Sequence, residues 1–287
     1  MSKSAEVGEI SSLRRYPVKS MEGEILSLAH VGENGFWGDR AYALIDASDG
    51  KIATAKNPRK WPTLFSFQAT LMETSGSIEK IPTVCVKMPD GTTVTSEQKD
   101  INQILSQVLK REVVFAVIRG SRVAGVQSSL PVSWSAKSEE YWPEIEGRDK
   151  QNTVTDFELP VGTFFDFGQV HLLTTSTLAR LSDSYPQGCF EVQRFRPNIV
   201  VETFGSEKSF AEEEWVGHTL AIGGEVRLKI TGSCGRCVMT TLAQGDLPKD
   251  IGILRTAVQQ NKGNVGVYAS VVRTGIIRAG DQVRLES

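Results

Sequence analysis

The chain has 287 residues, of which 40% are hydrophobic and 23% are charged. This composition is typical of a packed globular protein and excludes a disordered or collagenous chain. Its length predicts two domains of ordinary size. Lys and Arg together number 32 against 34 Asp and Glu, for a formal net charge of -2. No global positive field is therefore available to bind nucleic acid or an anionic membrane surface.

The first six residues do not contain the basic segment and apolar stretch of a signal peptide. No later run is long and apolar enough to cross a bilayer. We therefore expect a cytoplasmic protein that does not bind membranes. A disulfide scaffold would need more cysteines than this chain provides, so free thiols are expected. The cysteines are Cys85, Cys189, Cys234 and Cys237.

Short runs of strand-forming residues dominate the first hundred positions. They are found at 9–18, 24–30, 40–46, 51–54, 83–88 and 92–95. Asp-Gly pairs at 49–50 and 90–91 each separate two such runs, which predicts two hairpins. Ser96 is a predicted N-cap for a helix, because apolar residues recur at helical spacing from Ile101 to Val108.

The second half is also predicted to be mostly β-structure. Strands are expected at 113–118, 169–174, 198–202, 225–231, 238–242, 265–272 and 276–285. Helices are expected at 177–184, 209–216 and 250–260, and residues 133–151 are predicted to be an irregular surface segment. Short strands without regular alternation with long helices favour a barrel or sandwich over a doubly wound sheet.

The sharpest local motif is Cys234-Gly235-Arg236-Cys237, between two predicted strands. A zinc half-site would require a second soft-ligand pair, and none has matching spacing. A thioredoxin-like dithiol normally precedes a helix, whereas a strand is predicted here. Two buried apolar thiols or one metal-ligating thiolate remain, and Arg236 would favour an ionised sulfur.

Basic residues with small hydrogen-bonding neighbours recur at three separate points. These are the segments 16–20, 38–40 and 194–198, with sequences Tyr-Pro-Val-Lys-Ser, Gly-Asp-Arg and Arg-Phe-Arg-Pro-Asn. Each segment alone is typical of a solvated surface charge.

Together with the cysteine motif, these segments resemble MOSC-domain proteins that carry an N-terminal MOSC companion domain. That group includes amidoxime-reducing components and related bacterial enzymes. The matching segments also include 54–56, 234–240 and the turn at 280–281. The resemblance implies a mostly β, α+β fold, in which an N-terminal β-rich domain (1–120) packs on a C-terminal MOSC β-barrel domain (121–287) with short helices.

The resemblance also implies a bound molybdenum cofactor, the Mo-molybdopterin form. Cys237 would be the molybdenum ligand and the catalytic residue, whereas Cys234 would not be a ligand. The cofactor carries a phosphate, so cationic side chains would supply charge-assisted hydrogen bonds. The expected cofactor-binding residues are Lys19, Ser20, Arg40, Thr174, Arg194, Arg196, Asn198, Arg236 and Thr240.

The expected activity is reduction of small N-hydroxylated or other N-oxygenated compounds. The sequence after the last predicted strand has no cysteines for an iron–sulfur cluster, so electrons would come from a separate protein such as a cytochrome b5-like protein, a flavoprotein or a ferredoxin. Gly235 and the segment 242–250 depart from the amidoxime-reducing pattern. Two alternatives remain open: a persulfide sulfur carrier and a molybdenum-cofactor carrier. The wider family is also associated with pyridoxal phosphate binding.

Overall fold

The structure is a computed structural model that describes residues 5–72, 81–119, 122–124, 136–205 and 207–286. Within these ranges, none of the helices has the length and apolarity needed to span a bilayer. The strands in chain order are β1 (Ala5–Arg15), β2 (Glu24–Leu26), β3 (Leu28–Gly32), β4 (Gly35–Phe36), β5 (Tyr42–Asp46), β6 (Gln68–Leu71), β7 (Val84–Lys87), β8 (Thr93–Thr95), β9 (Val113–Arg119), β10 (Arg122–Ala124), β11 (Lys137–Trp142), β12 (Thr153–Glu158), β13 (Val170–Thr174), β14 (Ile199–Thr203), β15 (Thr219–Ile222), β16 (Val226–Gly235), β17 (Asn264–Arg273), β18 (Gly275–Arg278) and β19 (Gln282–Glu286).

The α-helices are short and lie between strands. They are α1 (Ile101–Leu109), α2 (Thr175–Ser184), α3 (Val192–Phe195) and α4 (Gly252–Asn261). Three 3-10 helices cover Leu64–Ser66, Ala211–Trp215 and Val238–Thr241.

The centre of the molecule is a barrel of seven strands. Their order is β14, β13, β17, β16, β15, β19 and β1, and pairing of β14 with β1 closes the sheet. The interior is filled by apolar side chains, because alternate residues of each strand point inward. Leu13, Leu172 and Leu228 are fully buried there. The mostly β, α+β fold with a C-terminal barrel is confirmed.

A second apolar core belongs to the residues before position 120. It is built around Phe67, Trp61 and Leu105, beside the sheets β10-β9-β5 and β6-β7-β8. Cys237 and Met239 join this core from the second half of the chain. Strand β1, in turn, belongs to the barrel. The two halves are therefore interleaved, and the boundary at 120 stays a prediction.

Several predicted elements are confirmed, among them the hairpin β7–β8 with Gly91 at φ 86° and helices α1, α2 and α4. The predicted N-cap of α1 was wrong, because Asp100 holds that position and Ser96 Oγ instead accepts a hydrogen bond from the Val84 N–H. The helix predicted at 209–216 is a 3-10 helix at Ala211–Trp215, and α3 was not predicted.

Two predicted segments have a different conformation. Residues 238–241 form a 3-10 turn rather than a strand, because the Thr240 and Thr241 hydroxyls donate to the carbonyls three residues earlier and tighten the backbone. The segment predicted to be irregular contains β11, which pairs in register with β12. Its first residues, 133–135, lie outside the described residues.

Candidate functional site

One cleft brings together side chains from both halves of the chain. Its first-half residues follow β1, β4 and β5, whereas its second-half residues lie on barrel strands or in the segments that flank them. The cleft mixes polar and apolar side chains, and several of its cations are buried. The lining residues are Lys19, Ser20, Arg40, Lys56, Phe164, Phe165, Asp166, Phe167, Gly168, His171, Phe195, Arg196, Asn198, Gly235, Arg236, Cys237, Met239 and Tyr268.

Three lining residues adopt left-handed backbone angles that non-glycine residues rarely populate. Ser20, Arg40 and Arg196 have φ values of 65°, 48° and 54°. Each takes part in a hydrogen bond: Ser20 Oγ accepts from the Ala55 N–H at 3.1 Å, the Arg40 N–H donates to the Tyr16 carbonyl at 2.8 Å, and the Arg196 N–H donates to the Val192 carbonyl at 3.2 Å. Strain of this kind persists where the surrounding structure enforces it, which is common at binding sites.

Cys237 sits where β16 ends, and it precedes the 3-10 turn in an extended conformation. Its side chain is only 7% exposed. Burial raises the pKa of the Cys237 thiol, although the Lys56 ammonium opposes that shift. The free protein therefore holds Cys237 as a neutral thiol that a metal ion would deprotonate on binding.

Cys234 has a different environment three residues earlier. Burial would raise the pKa of its thiol, but Arg236 and His171 outweigh burial and lower the pKa to about 6. Arg236 Nη1 donates to Cys234 Sγ at 2.7 Å. Protein donors therefore surround the Cys234 sulfur and favour its ionised form.

Two lysines and one carboxylate form a charged wall of the cleft. Lys19 Nζ donates to Asp166 Oδ1 at 2.5 Å, and Lys56 Nζ lies 3.4 Å from Asp166 Oδ2. Burial would raise the pKa of Asp166, but the two ammonium groups hold it well below its usual range. Asp166 is thus ionised at neutral pH, and Lys56 also pairs with Glu140 at 3.5 Å.

Two arginines make cation–π contacts with one tyrosine. The guanidinium carbons of Arg40 and Arg196 lie 4.4 Å and 4.2 Å from the Tyr16 ring centroid. Asp39 pairs with Arg40, whereas no side-chain donor of Arg196 has a hydrogen-bond acceptor among the described residues. Burial and the nearby Arg40 charge lower the pKa of Arg196 to about 10. Arg196 is still a cation at neutral pH, and its donors remain available to a ligand.

Arg236 completes the cationic lining. Its Nη2 donates to the Phe195 carbonyl at 2.8 Å, while its buried Nε has no hydrogen-bond partner within the described ranges. An unpaired buried donor costs free energy unless a ligand satisfies it. The backbone of Arg236 is held by Arg148, whose Nη2 donates to the Arg236 carbonyl at 2.5 Å.

The structure brings seven of the ten predicted site residues into the cleft: Lys19, Ser20, Arg40, Arg196, Asn198, Arg236 and Cys237. The other three have structural partners instead. Thr174 caps α2 and donates to Glu212 at 2.5 Å, and the Thr240 hydroxyl donates to the Cys237 carbonyl. Arg194 donates to four backbone carbonyls. These side chains are fully buried away from the cleft because their polar atoms hold turns together.

Sequence reasoning did not assign Lys56, Asp166 and Tyr268 to the site. Lys56 lies in the matching segment 54–56, which was a usable signal. Asp166 follows a run of apolar residues without any motif of its own, and Tyr268 lies inside an ordinary strand. Both reach the cleft only through the fold.

The competing interpretations of the cysteine motif can be compared with this geometry. No group of three or more His, Cys, Asp or Glu side chains in the described part of the chain could hold a metal ion by itself. A short 3-10 turn follows Cys237 rather than the long helix of a thioredoxin-like site. Both thiols are buried and only Cys237 lines the cleft, so a metal-ligating thiolate at Cys237 stays a prediction.

Comparison with known proteins gives two family matches. Residues 161–284 match the MOSC domain, and residues 7–116 match the MOSC N-terminal beta barrel domain. Residues between the two matched ranges include the β11–β12 hairpin.

Curated relatives are similar over most of the chain. Mitochondrial amidoxime-reducing component 1 of Xenopus laevis is 26% identical, over 97% of this chain and 82% of the relative. Mitochondrial amidoxime reducing component 2 of Rattus norvegicus is 24% identical, over 97% of this chain and 83% of the relative. Molybdenum cofactor sulfurase of Bombyx mori is 24% identical over 90% of this chain, which spans 31% of that protein.

Among solved structures, the YUAD protein from Bacillus subtilis is similar, with a TM-score of 0.49 and 12% identity, over 100% of this chain and 99% of that one. The two family matches lie in the order expected from the motifs and together cover most of the chain. This chain belongs to the MOSC-domain proteins that carry a MOSC N-terminal beta barrel domain.

Proposed function

We propose that this chain is a molybdenum-cofactor enzyme that reduces N-oxygenated compounds. The observation that carries the proposal is a buried thiol, Cys237, at the end of a cleft lined by cations with unused donors. Such a cleft suits an anionic ligand that carries a metal ion, which the Cys237 sulfur could bind.

The residues fit a phosphorylated pterin carrying molybdenum. Arg196 and Arg40 each present a guanidinium group, and such a group can bind two phosphate oxygens at once. Ser20 and Asn198 would add neutral hydrogen bonds, and the unpartnered Arg236 Nε would gain an acceptor. A local cation cluster of this kind explains how a chain with a net charge of -2 can hold a strongly anionic ligand.

The bound cofactor would supply the two-electron chemistry, with molybdenum cycling between oxidation states. The overall reaction takes one N–OH compound, two electrons and two protons, and it gives the N–H compound and water. Cys237 would bind the metal through its thiolate. Asp166 is ionised, so it would accept a hydrogen bond from the N-hydroxyl group rather than donate a proton.

The remaining residues of the site would position these groups. Lys19 and Lys56 hold Asp166 in place, and Lys56 also favours the ionised form of Cys237. The electrons would come from a separate protein of the cytochrome b5-like, flavoprotein or ferredoxin class, and a cytoplasmic location stays a prediction. The names of the amidoxime-reducing relatives support the choice of substrate class.

The name of the sulfurase relative keeps a sulfur carrier as the alternative. The raised pKa of Cys237 weighs against it, because accepting sulfur requires a free thiolate. A persulfide on Cys237 in metal-free protein would favour the carrier. Transfer of intact cofactor to another apo-enzyme, without turnover of any substrate, would favour a cofactor carrier.

An assay of benzamidoxime reduction by molybdenum-loaded protein with an artificial electron donor tests the proposal. We expect formation of benzamidine by the wild type and by Cys189→Ala, since Cys189 is an exposed thiol outside the cleft. We expect none from Cys237→Ala. Absence of turnover by fully loaded wild type, with several amidoximes and donors, would reject the enzymatic proposal.

A further inference from the structure

Beside the cleft lies an open vestibule that the reaction described above does not use. It is lined by Phe167, Gly168, Gly235, Tyr268 and the strand segment 231–233. Its volume is about 460 Å³, within the range of roughly 300–1,000 Å³ that is usual for small-molecule pockets. Phe167, Gly168, Gly235 and Tyr268 line the cleft as well, so the vestibule and the cleft share a wall.

An unusual feature of the vestibule is its exposed aromatic ring. Phe167 is 71% exposed, although exposing a phenyl ring to water is unfavourable. It is stacked on Tyr268 with ring centroids 6.2 Å apart and an interplanar angle of 25°. The two rings form one aromatic surface that extends from solvent to the mouth of the cleft.

The Tyr268 side of this surface is held by the strands beneath it. A Cβ atom at Gly168 would lie 2.7 Å from the Tyr268 side chain, so only glycine lets the loop approach this closely. The Thr231 hydroxyl donates to the Tyr268 carbonyl at 3.1 Å, which ties β16 to β17 at this point. The aromatic surface is therefore preformed rather than assembled on binding.

The polar atoms around the vestibule are already engaged. Besides the Thr231 hydroxyl, the Ser233 hydroxyl donates to Glu213. Neither hydroxyl has a proton to offer a ligand, and the other walls are rings and glycine backbone. The vestibule therefore favours a flat apolar group, whereas the cleft at its inner end favours a polar one.

We propose that the Phe167–Tyr268 surface binds the planar aromatic part of the substrate and directs its N-oxygenated group toward Cys237. The proposal rests on the proposed function for the reaction, but not for binding of the ring. It names aromatic N-hydroxylated compounds as the preferred substrate class. Phe167 is then a specificity-determining residue that lies outside the cofactor cleft's charged lining.

A pair of substrates with the same reacting group tests this assignment. Benzamidoxime carries a phenyl ring, whereas acetamidoxime carries a methyl group in its place. In molybdenum-loaded protein, we expect Phe167→Ala to lower kcat/KM for benzamidoxime by about 3- to 10-fold, the range given by a lost aromatic contact. We expect a change of less than about 2-fold for acetamidoxime, because an alkyl group makes no such contact.

Two further variants strengthen the test. Phe204→Ala removes another phenyl ring, which is 54% exposed and lies outside both the cleft and the vestibule. We expect this variant to leave kcat/KM unchanged for both substrates. Gly232→Leu adds a side chain where a Cβ meets no atom within 4 Å, so it should fold and narrow the vestibule. We expect Gly232→Leu to reduce benzamidoxime turnover more than acetamidoxime turnover. Equal losses for both substrates, or no loss in either vestibule variant, would overturn the assignment.

Failure of the proposed function is distinguishable from failure of this inference. If loaded wild type reduces neither amidoxime, the function is rejected, and saturation-transfer NMR with benzamidoxime then decides the question of ring binding. The aromatic site would be supported if saturation transfer to the benzamidoxime ring protons is weaker with Phe167→Ala than with wild type and unchanged with Phe204→Ala. Equal transfer in all three proteins, or none in the wild type, would overturn it.

Discussion

Arg194 and Arg196 lie two residues apart at the end of α3, and both are buried, yet their surroundings are opposite. The Arg194 guanidinium donates to the carbonyls of Cys189, Thr240, Leu242 and Pro248. Arg196 side-chain donors have no acceptor in the described ranges, and this arginine faces the cleft. A buried cation whose donors are satisfied holds the fold together, whereas one with donors left over is available to a ligand.

Removing Arg194 should have the largest effect on the fold. Arg194→Ala leaves the buried Thr240 carbonyl and three partly buried carbonyls without their donor, so we expect the free energy of unfolding to fall by about 3–5 kcal/mol. Urea denaturation of the cofactor-free protein measures this. Arg194→Lys should not restore stability, because one ammonium group cannot reproduce the planar fork. A stability close to wild type in Arg194→Ala would contradict the structural role.

Removing Arg196 should have a small effect on stability and a large effect on cofactor binding. We expect Arg196→Ala to keep the unfolding free energy of the cofactor-free protein within about 2 kcal/mol of wild type, since only cation–π contacts with Tyr16 and Phe65 are lost and no side-chain hydrogen bond is. We expect affinity for the cofactor to fall by about 10- to 100-fold, the value of one or two charge-assisted hydrogen bonds. Molybdenum content after dialysis reports the loss. Full retention of molybdenum would assign Arg196 no part in binding.

Cys234 and Cys237 differ in the same way as the two arginines. Cys234 is surrounded by protein donors, whereas Cys237 faces the cleft. The pKa of Cys234 is lowered in the folded chain. Its stabilising contribution is therefore complete above the pKa of an unfolded thiol, about 8.5, and is lost as the pH falls through about 6.

We accordingly expect metal-free Cys234→Ala to melt several degrees below wild type at pH 9, because lowering a pKa from about 8.5 to about 6 corresponds to roughly 3 kcal/mol. The difference should shrink steadily toward pH 5.5. Melting curves at half-unit pH steps measure it, with Cys189→Ala as the exposed-thiol control. A difference in Tm that does not depend on pH would mean that Cys234 is a neutral buried thiol.

The same contrast explains which parts of the site could be predicted from sequence. Lys19, Arg40, Arg196 and Cys237 lie in short motifs, and the resemblance of those motifs to one family predicted that they share a site. Arg194 lies in the same motif as Arg196, and only the fold reveals that carbonyls surround it. Sequence shows that a donor exists, but it does not show whether the protein already satisfies that donor.

Local chemistry also limited the prediction of the fold. Residues 238–241 have strand-forming side chains, but two threonine hydroxyls turn the backbone immediately after Cys237. The hairpin β11–β12 has many charged residues and little alternation, so its pairing was not predictable. Asp166 lies beside Lys19, 147 positions earlier, a juxtaposition that depends on closure of the barrel.

Molybdenum and pterin analysis of protein purified from a molybdenum-replete host, comparing wild type, Cys237→Ala and Cys189→Ala, tests the central claim most directly. The account predicts near-stoichiometric molybdenum and pterin in wild type and Cys189→Ala, with loss of molybdenum in Cys237→Ala. Equal molybdenum in all three proteins would contradict ligation by Cys237. Its absence from all three would contradict a molybdenum enzyme and favour the sulfur carrier.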